Sequence, residues 1–175
     1  MRGWDKFDTN YFLKYKEKPV RLKPYDPRQE EVALRYLEKI RSLTEGIDIK
    51  LLVRGSTAFR IFGKGDVEVG VYPLEKDWKK VAGILAKAYG DPDNVEPDYM
   101  RFNHESSEGY EVEIILLKGH EAKVDVKLTE YLMDHPELLK EYEEVKRKSA
   151  FSKREYQIRK NDFLTSVIHK IPEEE

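Results

Sequence analysis

Apolar positions along this chain switch between two periods, and the switches mark its elements. After Pro24, Asp26 and Pro27, the residues Val32, Leu34, Leu37, Ile40 and Leu43 recur at helical spacing. That spacing predicts a helix to about Thr44, with Asp26 as N-cap and Pro27 at the first helical position. Residues 47–54 and 66–72 read as core strands, the second closed by Pro73. Asp77 is expected to cap a helix to about Tyr89 that turns Trp78, Val81, Ile84, Leu85 and Ala88 inward. The turn-rich loop GDPDNVEPD leads into an antiparallel hairpin over 99–104 and 110–117, folded around Ser106, Ser107 and Gly109. Helical pattern fills the rest: 128–134, a helix begun by Pro136, and a last one from about Lys153 to His169. Ahead of all this lies an arm, residues 1–19, where Trp4, Phe7, Tyr11, Phe12 and Tyr15 recur at helical spacing and are expected to pack on the body. Pro19 ends the arm, the strand-like VRLKPY follows, and residues 20–175 read as one domain.

Chemistry concentrates in residues 53–69, VRGSTAFRIFGKGDVEV. Gly55 and Ser56 suggest a sharp turn at the end of the first strand, with a short helix starting over 57–62. A glycine lets backbone approach a phosphate closely, and unpaired amides at a helix start favour an anion. Asp66 and Glu68 follow on a strand whose period of two sends both carboxylates to one face and Val67, Val69 and Val71 to the other. Two oxygen ligands aimed at one spot suit a hard cation such as Mg²⁺, which is commonly shared with substrate phosphates. Turn and acidic strand together are what phosphoryl or nucleotidyl transfer requires.

Composition narrows the setting. With no cysteine among 175 residues, disulfides and thiolate metal sites are excluded, and a reducing, cytoplasmic environment is expected. No apolar run is long enough for a bilayer, and the first residues lack the apolar core of a secretory signal, so a membrane partner is not expected. Charged residues make up 38% of the chain yet nearly cancel to −2, which gives no global signal for nucleic acid. Heavy Lys and Glu use, with two Gln and four Asn, matches the bias of hyperthermophile proteins. His104, His120, His135 and His169 have no zinc-type spacing. The tract KRKSAFSKR, 146–154, could meet a triphosphate or a nucleic-acid backbone, or be a solvated helix end.

Three ordered segments, VRLKPYDP at 20–27, RGSTAFRIFGKGDVEV at 54–69 and EYLMDHPELLKEYEEVKRK at 130–148, resemble the GrpB family of the nucleotidyltransferase-like superfamily. The resemblance implies an α/β (α+β) nucleotidyltransferase fold, a small mixed sheet flanked by helices with a helical C-terminal part. It also implies that Gly55, Ser56 and Thr57 form the phosphate-binding turn, that Lys64 is the family lysine before the acidic strand, and that Asp66 and Glu68 are the metal carboxylates. Where family members often carry His-apolar-His, this chain has Glu111, Val112 and Glu113, so Glu113 could complete a carboxylate triad and act as the catalytic base. Asp125, in KVDVKL, is the rival: it alternates like a strand, while the family comparison places it in a helix. The implied function is Mg²⁺-dependent transfer of a nucleoside monophosphate from a nucleoside triphosphate to an unknown acceptor. A nucleotide- or partner-binding module that has lost the chemistry is the alternative.

Overall fold

A computed structural model describes residues 8–172. Its first long element, α1 (Pro27–Leu43), starts where expected: the Asp26 carboxylate accepts the Arg28 amide at 3.0 Å, and Pro27 loses no helical hydrogen bond at this position. The face α1 buries is narrower than the apolar pattern suggested, since Gln29, Val32, Ala33 and Ile40 point inward while Leu34 and Leu43 are exposed.

The strands are β1 (Ile49–Arg54), β2 (Val67–Pro73), β3 (Asn94–Glu96), β4 (Tyr99–Glu105) and β5 (Glu111–Leu117), in the sheet order β1-β2-β5-β4-β3. Only the central β2–β5 pair is parallel; the other pairs are antiparallel. The mixed sheet and its helices match the architecture expected from the sequence. Strand β3 is an addition, found inside the segment read as a turn-rich loop. Its three residues sit at the sheet edge, between Asp93 and Pro97, and Asp93 holds Arg101 of β4 at 2.7 Å. The expected strand at VRLKPY shrinks to one bridge, in which Lys23 and Gly63 exchange amide–carbonyl bonds of 2.7 and 3.0 Å.

Helix α1 and α3 (Trp78–Tyr89) cover one face of the sheet. Asp77 precedes α3, but its side chain makes no capping bond. On this face Val67, Val69, Val71, Phe102, Val112, Ile114 and Leu116 pack against Val32, Ile40, Val81 and Leu85, all inaccessible or nearly so. Burying each such side chain contributes about 1.5–3 kcal/mol. The opposite face meets the C-terminal helices α4 (Gly119–Met133), α5 (Pro136–Ser149) and α6 (Lys153–Ile168). These helices also share a core of their own around Leu128, Leu132, Tyr142, Leu164 and Ile168. No helix among the described residues is long and apolar enough to cross a membrane.

Of the aromatic arm, Trp4 and Phe7 lie outside the described residues. Residues Thr9–Lys14 form a short 3-10 helix capped by Asp8, and Phe12 is buried. Arg154 of α6 ties the arm down, donating to the Tyr15 carbonyl at 3.1 Å and to Glu17 at 2.9 Å.

Candidate functional site

Strand register builds the site. Arg54, Glu68, Glu113 and Asn103 are successive cross-strand partners on β1, β2, β5 and β4, and the pleat sends this row to the face opposite the valine core. Asp66, one residue before β2, shares the side of Glu68. Carboxylate oxygens of Asp66, Glu68 and Glu113 all lie within 4.8 Å of one another. The sequence left Glu113 and Asp125 as rivals for the third place, and the fold separates them. Asp125 lies in α4, buried, with Arg54 donating to it at 2.8 and 2.6 Å and the Tyr72 hydroxyl at 2.5 Å. It is a buried, paired group in a helix, as the family comparison placed it, and not on a strand as its alternation suggested.

Each clustered carboxylate has a cationic neighbour: Lys64 is 3.1 Å from Asp66, Arg54 is 3.6 Å from Glu68, and Arg101 is 3.9 Å from Glu113. Burial works against ionisation of Glu68, but Arg54, Lys160, Lys64 and Lys146 together hold its pKa below the ordinary range. Glu113 goes the other way. Burial, then the charge of Glu68, push it up to about 7 against the opposing pull of Lys64 and Arg101. Burial alone would ease the proton off Lys64, yet Asp66, Glu68 and Glu113 raise its pKa.

The Gly-Ser turn adjoins this cluster. It forms α2 (Gly55–Phe59), two residues earlier than the expected helix start, and ends at Arg60 in the left-handed region, φ 54°. Gly55 has φ 62°, a conformation that favours glycine, and a Cβ there would lie 2.9 Å from the Glu68 carboxylate and displace it. Ser56 fits only because Gly63 lacks a side chain, whose Cβ would fall 2.0 Å from the serine Oγ. Thr57 points inward, buried.

Sequence reasoning assigned no role to several charged groups here. Arg54 stands inside the motif, and it links Asp125 to Glu68. Gly70 and Tyr72 were read only as strand: a Cβ on Gly70 would fall 2.1 Å from the Tyr72 hydroxyl, so the glycine lets the ring cross to Asp125. From the basic tract, Lys146 is buried rather than solvated and donates to the Phe62 carbonyl. Its burial, with Lys160 nearby, brings its pKa down to about 7 although Glu68 and Asp66 oppose the change.

Comparisons with known proteins agree on this frame. A crystal structure of conserved protein GrpB from Enterococcus faecalis superposes with a TM-score of 0.68 at 13% identity, covering 86% of this chain and 98% of the other. A GLD-2/RNP-8 complex structure gives 0.51 at 14% identity, covering 91% and 62%. A Cid1 poly(U) polymerase variant bound to MgATP gives 0.50 at 12% identity, covering 71% and 42%. The last two share the nucleotidyltransferase fold, while this chain spans less than two thirds of their length. No sequence among the curated proteins matches the chain. The family model for GrpB protein matches residues 19–170, and the chain therefore belongs to the GrpB family.

Proposed function

We propose that the protein is a Mg²⁺-dependent nucleotidyltransferase, acting in the cytoplasm on a nucleoside triphosphate. One observation carries this reading: the convergence of Asp66, Glu68 and Glu113 beside the Gly55–Ser56 turn. The donor set fits the metal. Mg²⁺ prefers carboxylate oxygens and shares its shell with phosphates, and the gaps from Arg54 to Glu68 and from Arg101 to Glu113, 3.6 and 3.9 Å, leave those oxygens only loosely engaged. Bound there, the metal would offset phosphate charge and favour in-line displacement. Asp66 and Glu68 hold it in this reading. The backbone at Gly55, Ser56 and Thr57 cradles phosphate oxygens, and Lys64 adds a positive charge before the acidic strand. Glu113, with a pKa near 7, accepts the proton of the attacking hydroxyl.

Asp66→Asn removes charge at nearly constant shape. Calorimetric affinity for Mg²⁺-ATP is expected to fall at least tenfold, about 1.4 kcal/mol, with the fold intact. Unchanged affinity overturns the metal assignment. A second reading, a binding module without chemistry, is favoured by the cation beside each of the three carboxylates. Pyrophosphate release across a panel of acceptors separates the two, since the module binds nucleotide without releasing it.

A further inference from the structure

Beyond the acidic cluster, on the same sheet face, lies a cavity of about 770 Å³, within the size range of small-molecule sites. Its sheet floor runs from Arg54, at the end of β1 beside the Gly55 turn, to Asn94, Tyr99 and Arg101 of β3 and β4. Its far wall comes from α6 and from the arm, whose Tyr11, Lys14 and Tyr15 precede the residues matched to the family.

Three kinds of side chain line this space. Tyr11, Tyr15 and Tyr99 offer aromatic surface. Asn94, Gln157 and Asn161 each pair an amide donor with an acceptor, the combination that reads the edge of a nucleobase. Lys14, Lys153 and Lys160 supply positive charge; Lys14 lies 3.6 Å above the Tyr11 ring and Lys153 5.8 Å from that of Tyr15. Among the described residues none of the three lysines has a carboxylate within 4.0 Å. The lining also holds four acids: Asp125 is engaged by Arg54, Asp98 by Lys118 at 3.5 Å, Glu121 is partnered, and exposed Glu96 acts on Lys14. With Arg54 and Arg101 the cations number five, so positive charge is in slight excess.

We infer that this cavity is a binding site for a nucleoside monophosphate, its base between the tyrosines and amides and its phosphate among the lysines. The site stands on its own geometry. That its occupant is the acceptor rests on the transfer reading above, and on two residues of the lining, Arg54 and Arg101, that lie 3.6 Å from Glu68 and 3.9 Å from Glu113.

Titration calorimetry with AMP as probe, in EDTA, tests the site without the metal. Saturable binding is expected, with Lys160→Ala at least about tenfold weaker for AMP and unchanged for adenosine. Tyr15→Ala should weaken both, and Asp66→Asn neither. Lys160 makes no ion pair within 4.0 Å but its charge acts on Glu68, so Asp66→Asn, read beside it, keeps the cavity distinct from the cluster even if Tyr15→Ala disturbs the arm. No AMP binding at millimolar concentration, wild-type affinity in Lys160→Ala, or loss of binding in Asp66→Asn would each overturn the assignment, the last by placing the nucleotide at the acidic cluster. If Asp66→Asn instead leaves Mg²⁺-ATP affinity intact while AMP still depends on Lys160, the transfer reading fails and the cavity stands.

Discussion

The two faces of one sheet are built on opposite principles, and β2 shows both within three residues. Val67 and Val69 vanish into an apolar layer under α1 and α3, while Glu68, between them, enters a layer of charge. Stability on the first face comes from area removed from water. On the second, charged groups are taken out of water and must be matched one by one, which stabilises little but costs much when a partner is lost. Tolerance of change differs accordingly: the apolar face responds to volume, the charged face to pairing and pH.

The largest effect is expected from the charged face. Asp125→Ala leaves Arg54 and Tyr72 without their acceptor, with the Arg54 side chain only 15% exposed. Breaking such a pair costs about 3–5 kcal/mol, and denaturant midpoints should show it. A loss under about 1 kcal/mol would mean that this face resembles an ordinary surface, where ion pairs contribute that little.

Leu116→Ala, at an inaccessible position of the apolar layer, should cost about 2–5 kcal/mol. The loss should be the same at pH 5 and pH 8, because no titrating group is touched. A pH-dependent loss would show the two faces to be coupled.

Glu113→Gln should do the reverse and stabilise. The folded protein raises this pKa from 4.5 to about 7, so the native state holds the extra proton within that window. Stability from this group is complete below pH 4.5 and falls as pH rises through 7. The variant should therefore gain nothing at pH 4, gain on the order of 2–3 kcal/mol at pH 8, and show a smaller rise in melting temperature with Mg²⁺. Equal melting temperatures at pH 8 would separate Glu113 from the cluster.

The apolar face was largely legible in the sequence, because alternation on β2 and β5 and helical spacing on α3 each report burial locally. Where the pattern misled, the reason is geometric. Leu34 and Leu43 fall on the rim of α1, and the helix fills its contact with Ala33 and Gln29 instead. Strand β3 was hidden by flanking turn residues, its place being set by pairing with β4. On the other face Asp66 and Glu68 were legible as i, i+2 neighbours, and Glu113 came into view only through a family pattern. Arg54 and Asp125 stand 71 positions apart, and no local signal joins them. Nor could the arm, read as packing, announce that its tyrosines line a cavity.

The parallel pairing of β2 with β5 also bears on the order in which the chain folds. Strands β1 and β2 meet across a short connection, and β4 and β5 across a tight turn, so each pair closes locally. Val67 and Val112 must find each other over 45 positions, the slower kind of closure. Asp66 and Glu68 arrive with the first pair and Glu113 with the second. Until β2 docks on β5 the three carboxylates are not assembled and none of their repulsion is felt, so the cluster is tied to the longest-range pairing of the sheet.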